Sequence, residues 1–250
     1  MFALISDLHS NLEALTAVLE DIDRRGVKEI FCLGDILGYG PQPKECLDLI
    51  IKRGIVSIMG NHDHAVFYEP TNFNTGAERA SYWTRQCLED DPEKGKRNQR
   101  WAFLGRLLIR LEMGDILLVH GSPRRPVNEY IFPDDIYTST AKIAANFERV
   151  KHLCFVGHTH VPGVFLEDPD FYGIDELDYV YPIVDSERAI INVGSVGQPR
   201  DQDTRASYVV VSDDKVEFVR VEYDLEATAQ KIIANPALDN FEADRLRDGR

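Results

Sequence analysis

The chain has 250 residues, 44% of them hydrophobic and 28% charged, which is enough apolar side chain to bury a core and is ordinary for a globular protein. A formal charge of -14 excludes an extended nucleic-acid surface, which needs clustered lysine and arginine, but leaves open a phosphate substrate held by cations. No apolar run reaches the length of a membrane span and no signal peptide is read. The scattered Cys32, Cys46, Cys87 and Cys154 suit reduced thiols, so a cytoplasmic location is expected.

Phe2–Ile5 reads as a short strand. A helix follows with Ser10 as N-cap and Glu13 three residues on. Its Leu12, Leu15, Val18, Leu19 and Ile22 recur at helical spacing, and Gly26 stops it. Glu29–Leu33 reads as a strand, Pro43–Arg53 as a helix ended by Gly54, and Ile55–Met59 as a third strand. This β-α-β-α-β rhythm implies parallel strands covered by helices. Residues 65–113 change character and read as a helical insertion overhanging the site. Gly76–Leu88 and Gln99–Leu111 are expected to be helical, and the charged stretch Glu89–Arg97 a solvated loop between them. Strands resume at Ile116–Val119 and Leu153–Val156. Ala189–Val193, Ser207–Ser212 and Val216–Tyr223 suggest a second, more antiparallel sheet, and residues 236–250 a polar tail, helical or frayed. With no repeat and no dividing linker, residues 1–250 are read as a single α/β domain.

Chemistry enters at the strand ends. Asp7-Leu8-His9, Gly34-Asp35, Gly60-Asn61-His62-Asp63, His120-Gly121 and Gly157-His158-Thr159-His160 each follow an apolar, strand-like run. Ligands gather at the carboxyl ends of strands in open α/β sheets. Singly, each run is explained by a turn; together they hold five of the seven histidines (His9, His62, His120, His158 and His160). Asp7 and His9 flank one residue and so emerge on one side of an extended segment, as do His158 and His160. Asp35 has two oxygens with which to bridge two ions, and Asn61 offers a neutral amide oxygen. Mixed imidazole and carboxylate ligands favour Mn, Fe, Zn, Co or Ni over Ca or Mg, and two such divalent ions are expected, with Mn favoured.

The ordered set Asp-x-His, Gly-Asp, Gly-Asn-His-Asp, His-Gly and Gly-His-Thr-His resembles the calcineurin-like metallophosphoesterase superfamily, from the start of the chain to about residue 200. The resemblance implies a four-layer α-β-β-α sandwich of two mixed β-sheets flanked by helices. It also implies that Asp7, His9 and His160 hold one ion, that Asn61, His120 and His158 hold a second, and that Asp35 bridges them. Ser6–Leu15, His120–Arg124 and Asn192–Arg200 look like the small bacterial and archaeal phosphodiesterase-like branch. Protein serine/threonine phosphatases of the superfamily instead carry Gly-Asp-x-Val-Asp-Arg-Gly. Here the stretch is Gly34-Asp35-Ile36-Leu37-Gly38-Tyr39-Gly40, with Tyr39 where their phosphate-holding arginine stands, which counts against a protein-phosphatase role.

The expected activity is therefore metal-dependent hydrolysis of a small soluble phosphodiester, with nucleotide-derived diesters as candidates by resemblance, by in-line attack of a hydroxide shared between two ions. A phosphomonoesterase or dinucleoside-polyphosphate hydrolase is the enzyme alternative, and a catalytically silent scaffold of the same fold the non-enzyme one. No membrane and no obligatory protein partner is inferred. His62, following Asn61, is placed by resemblance to protonate or stabilise the leaving oxygen. Asp63 either orients His62 or caps a helix, and His64 either touches substrate or packs at the rim. Arg124 and Arg200 each present a guanidinium fork to phosphate or form a surface ion pair. Asn11 either contacts an active-site water or is simply a polar residue of a first helical turn. Tyr39 and the insertion are expected to restrict the pocket.

Overall fold

In the computed structural model, which describes residues 1–250, the chain begins with strand β1 (Phe2–Ile5), helix α1 (Leu12–Arg24), β2 (Ile30–Cys32), α2 (Pro43–Arg53) and β3 (Val56–Ser57). Three helices follow, α3 (Asn61–Phe67), α4 (Thr75–Glu89) and α5 (Lys94–Leu104). The middle of the chain forms β4 (Arg110–Met113), β5 (Ile116–Val119), α6 (Asp135–Thr138), α7 (Thr140–Phe147) and β6 (Leu153–Val156). Then come β7 (Gly163–Leu166), β8 (Asp170–Gly173), β9 (Val180–Pro182), β10 (Ala189–Asn192), β11 (Ala206–Val211) and β12 (Lys215–Val221). Helices α8 (Leu225–Ile233) and α9 (Asn240–Asp248) end the chain.

Two mixed six-stranded sheets result, ordered β3-β2-β1-β11-β12-β9 and β4-β5-β6-β10-β7-β8. Side-chain alternation builds the layers from them. On β1, Ala3 and Ile5 face α1 and α2 in one apolar cluster, while Leu4 joins Phe155, Ile191 and Val209 between the sheets. On β6, Leu153 and Phe155 point to that inter-sheet core, while Cys154 and Val156 meet Ile143 and Phe147 of α7 on the outside. Helix, sheet, sheet and helix thus stack in the expected α-β-β-α order, each sheet buried on both faces.

Three expectations are corrected. Strands β11 and β12 belong to the first sheet, because β11 pairs antiparallel with β1 (Phe2↔Val211) rather than with the second-sheet strands. The second sheet is instead completed by the short strands β7 and β8, while β9 ends the first; none of these three was read from sequence. The expected helix Gln99–Leu111 is displaced. It starts at Lys94, inside the charged stretch, ends at Leu104 before Gly105, and leaves Arg110–Met113 to pair with β5 (Arg110↔Val119). Finally, α1 is capped by Asn11, whose side-chain oxygen accepts from Ala14 N at 3.1 Å, not by Ser10.

The displaced start of α5 has a cause. Arg100 is only 3% exposed and binds Asp48 of α2 and Asp91, each at 2.7 Å, so the charged segment is drawn onto the body of the fold. Removing one partner of a buried pair typically costs about 3–5 kcal/mol, and the partial exposure of Asp48 lowers the expectation here to about 2 kcal/mol. Arg100→Ala should therefore shift the urea midpoint by that amount without changing the slope. A shift under about 0.5 kcal/mol would mean that the pair merely decorates the surface.

Candidate metal centre

Strands β1, β2 and β3 run parallel in one sheet, and β5, β6 and β10 run parallel in the other. Their carboxyl ends meet at one edge of the sandwich, where the His158 N–H donates to Asp7 Oδ2 at 3.0 Å across the two sheets. Asp7, His9, Asp35, His158 and His160 all adopt positive φ, between 45° and 68°. Such backbone is costly for residues other than glycine and persists where surrounding structure enforces it, most often at functional sites. Gly157 makes the approach possible: a Cβ there would overlap Ser6 Oγ and Asp7 Oδ2.

The orientation of each imidazole is set from behind. Nδ1 of His9 donates to Leu37 O (3.1 Å), Nδ1 of His160 to Gln198 O (2.6 Å), and Nδ1 of His120 to Leu33 O (2.9 Å). Each therefore turns an Nε2 lone pair into the centre. The Nε2 atoms of His9 and His160 lie 3.1 Å apart, and His160 Nε2 is 3.1 Å from Asp7 Oδ1, an oxygen that is buried without a hydrogen-bond partner. On the other side His120 Nε2 faces Asn61 Oδ1 at 3.0 Å, His158 Nδ1 at 3.1 Å and Asp35 Oδ2 at 3.3 Å. Asp35 Oδ2 is also 3.9 Å from His9 Nε2, so one carboxylate is reached from both groups. Lone pairs facing lone pairs repel unless cations lie among them, and this donor set fits divalent metal ions.

Charge follows the same logic. Burial works against ionisation of Asp7 and Asp35, but the surrounding histidines outweigh it and hold both carboxyls below their ordinary range. Burial lowers His9 and His160, and lowers His158 to about 3, keeping these rings neutral. His120 alone rises, to about 9, because Asp35 and Asp7 overcome its burial. Two anionic carboxylates among mostly neutral imidazoles are the complement of divalent cations.

The remaining candidates separate clearly. His62 is 5% exposed and its ring lies 4.9 Å from His9 and 4.4 Å from Tyr39. Its backbone N–H donates to Asp35 Oδ1 at 2.8 Å. Gly38, with φ of 94°, leaves room for His62 Nδ1, onto which any Cβ at 38 would fall. Tyr39 is buried, edge-on to His9 at 4.9 Å. Asp63 does not contact His62. Its oxygens accept from the N–H groups of Gly60 and Leu37, both at 3.1 Å, which makes it the cap of α3 and a tie to the loop after β2. Burial and the charge of Asp35 raise its pKa to about 7.

Asn11 is likewise structural in its contacts, capping α1, donating to Gly197 O at 2.9 Å and accepting from Thr228 at 3.0 Å. Arg124 is held by Glu129, with Nη2 to Oε1 at 2.6 Å, and that carboxylate also takes bonds from Ser122 and Asn146. His64 packs its ring on Tyr68 at 4.7 Å. Arg200 stays beside the centre, its guanidinium 5.9 Å from the Tyr39 ring and its backbone N–H donating to His160 O.

Three aromatic residues at or beside the site were not anticipated. Tyr130 stacks on His158 with centroids 3.6 Å apart, and the exposed Phe132 stacks on Tyr130 at 5.2 Å. Phe73, from the loop between α3 and α4, meets His62 at 4.7 Å, so the insertion does reach over the centre. The sequence signal for Tyr130 is faint, an aromatic in the loop ten residues past His120; Phe73 has none.

A sequence profile described as the calcineurin-like phosphoesterase superfamily domain matches residues 1–215. The chain is 38% identical, over an alignment of 262 residues, to the uncharacterized protein MJ0912 of Methanocaldococcus jannaschii, spanning 100% of this chain and 98% of that one. It is also 38% identical to a metallophosphoesterase from Sphaerobacter thermophilus, whose crystal structure superposes with a TM-score of 0.80 over 100% of this chain and 98% of the other. Protein PH1004 from Pyrococcus horikoshii OT3, at 21% identity, shares the fold with a TM-score of 0.77 over 100% and 98% of the two chains.

Proposed function

The chain belongs to the calcineurin-like phosphoesterase superfamily and is a metal-dependent phosphoester hydrolase, and from that premise we propose that it is a dinuclear phosphodiesterase acting on a small soluble substrate. The observation that carries this reading is the pair of converging donor groups sharing the Asp35 carboxylate. We assign Asp7, His9 and His160 to one ion, Asn61, His120 and His158 to the other, and Asp35 to both. Manganese is the favoured metal among Mn, Fe, Zn, Co and Ni. When bound, two such ions polarise the phosphate and make hydroxide available near neutral pH.

The chain's own residues do the rest. Leu33, Leu37 and Gln198 carbonyls hold three imidazoles in register. Tyr39, Tyr130 and Phe73 wall the centre and limit water. We assign His62, whose ring lies 4.9 Å from that of His9, the role of contributing an N–H to the leaving oxygen. The charge argument favours diesters. Tyr39, an uncharged ring, occupies the space against His9 and His62 where a guanidinium would favour the more negative monoester.

No helix is long and apolar enough to cross a membrane. The free cysteines, three of them buried, accord with a reducing, cytoplasmic setting.

Metal-stripped protein refilled separately with Mn²⁺, Ni²⁺, Co²⁺, Zn²⁺ or Mg²⁺ should cleave bis(p-nitrophenyl) phosphate faster than p-nitrophenyl phosphate, best with a transition metal. Monoester preference would keep the centre and change the class to phosphatase. Two ions bound with no turnover on either substrate would return the scaffold reading.

A further inference from the structure

Three of the four imidazoles assigned to metal are fastened through Nδ1, His9 to Leu37 O, His120 to Leu33 O and His160 to Gln198 O, at distances between 2.6 and 3.1 Å. His158 is the exception. It turns Nδ1 to the centre, 3.1 Å from His120 Nε2, so a ring holding an ion there carries its N–H on Nε2. That nitrogen is buried, and no protein group accepts from it. A metal-binding histidine almost always donates its far N–H to a partner, which fixes the orientation of the ring. Without such a bond the imidazole is free to rock about its Cβ–Cγ torsion, whose energy wells are broad. What holds His158 is a face instead. Tyr130 lies over the ring with 3.6 Å between centroids and 17° between planes, so rocking the imidazole would drive its edge into the tyrosine.

The place of Tyr130 is set by its two chain neighbours. The Glu129 carboxylate accepts from Ser122 Oγ, from Arg124 Nε and Nη2 and from Asn146 Nδ2, at distances between 2.6 and 3.2 Å. Ile131 is 1% exposed and packs with Val119, Ile143 and Phe147. Gly121, next to His120 in the chain, admits this loop: a Cβ there would come within 2.9 Å of Glu129 O and 3.0 Å of Glu129 N. The loop is thus fastened on both sides of Tyr130, and Phe132 backs the ring at 5.2 Å and 5°. Tyr130 itself remains 40% exposed, so filling the core is not what it supplies.

The geometry of the stack points the same way. Two electron-rich rings avoid a direct overlay and prefer an offset. Overlay becomes favourable when one ring is drained of charge, as an imidazole is with a cation on its nitrogen. The contact therefore strengthens when an ion binds, and only a contact that differs between free and loaded states can raise affinity. We propose that Tyr130 is a positioning residue for the ion assigned to Asn61, His120 and His158, its ring face holding His158 in place of the hydrogen bond that orients the other three imidazoles, with Glu129 as its anchor. This rests on the dinuclear reading above and gives one ion a support that the other lacks.

The test is calorimetric titration of the metal-stripped full chain with Mn²⁺. Losing the outer partner of a ligand weakens metal binding about 10–100-fold, and Tyr130→Leu should weaken one of the two steps by about tenfold, leaving the other unchanged. Tyr130→Phe keeps the face without the hydroxyl and should bind both ions as the wild type does. Glu129→Ala should weaken the same step by a smaller factor. Because the ring is partly exposed, the urea midpoint of the stripped Tyr130→Leu chain should not move. Should that variant not fold, Tyr130→Met carries the same expectation. In a His158→Ala background, Tyr130→Leu should have no further effect on the step that remains. Unchanged steps in Tyr130→Leu, equal weakening of both, an equal loss in Tyr130→Phe, or a further loss in the His158→Ala background overturns the positioning role. Two ions bound alike by wild type and Tyr130→Leu would leave the dinuclear reading standing and remove Tyr130 from it. A single ion in the wild type, weakened by Tyr130→Leu but not by Tyr130→Phe, would do the reverse.

Discussion

Asp35→Ala is expected to empty the centre of both metal ions, whereas Asp7→Ala should remove mainly one. The asymmetry follows from position. Asp35 Oδ2 is within 3.3 Å of His120 Nε2 and 3.9 Å of His9 Nε2, so each donor group borrows charge from it. Asp7 Oδ1 lies 3.1 Å from His160, 3.8 Å from His9 and 4.0 Å from His120, but it converges with His9 and His160 alone, whereas Asp35 converges both with His120 and His158 and with His9. Metal content after dialysis should fall from two ions per chain to near zero in the first variant and to about one in the second. A stability readout is independent of turnover. An ion at a hundredfold excess over its Kd stabilises the native state by about 2.7 kcal/mol. Added Mn²⁺ should therefore raise the melting midpoint of the wild type and not that of Asp35→Ala. Retention of two tightly held ions by Asp35→Ala would remove the shared-ligand assignment, and with it the central premise of the proposed mechanism.

The candidate-ligand runs stand out in the sequence because the chemistry of each is local: an apolar strand, a glycine or tight turn, then side chains of metal-ligand type. Asp7, Asp35, Asn61, His120, His158 and His160 all sit in such runs, and the structure brings them within a few ångströms. What is not legible depends on partners far along the chain. Asp63 looks like a companion for His62 because it is the next residue, yet a helix start turns consecutive side chains apart, and its oxygens go to Gly60 and Leu37. Arg124 looks available for phosphate until Glu129 folds back on it. The sheet assignment of β11 and β12 fails for a related reason. Hydrophobic alternation says that a strand is buried on given faces, not which neighbour it pairs with, and β11 returns across the molecule to β1.

The C-terminal residues show the same limit from the other side. By composition residues 236–250 read as a polar tail. In the fold, Ala243 and Leu246 of α9 pack with Ile232 of α8 and Ala80 of α4, and Glu242 reaches Gln198, whose carbonyl orients His160. A segment with few apolar residues can still be ordered when those few fall on one face and find a partner surface. The tail thus becomes part of the wall beside His9 and Tyr39, where Glu242 and Leu246 line a pocket with them.

His62→Ala is expected to keep both ions and lose about 10²–10⁴ in kcat, the usual contribution of a positioned acid. Retention of metal is the sharper half, because His62 also stands near His9 and Asp35 in a geometry that a ligand would share. Three orienting carbonyls lie behind His9, His120 and His160, whereas His62 Nδ1 is packed against Gly38 with no partner. A ring without that anchoring suits a group that works on substrate rather than one that holds an ion. Burial lowers the His62 pKa to about 4, with Asp35 opposing and Arg200 assisting, so near neutral pH the ring is neutral and acts as an N–H donor. Such a donor matters most when the departing oxygen is strongly basic. The loss caused by His62→Ala should therefore be larger for an alkyl phosphodiester than for bis(p-nitrophenyl) phosphate, whose leaving group departs without help. Equal losses on both would recast His62 as a residue that positions substrate, and loss of an ion would make it a ligand. Only the leaving-group-dependent result assigns it a hydrogen bond to the departing oxygen.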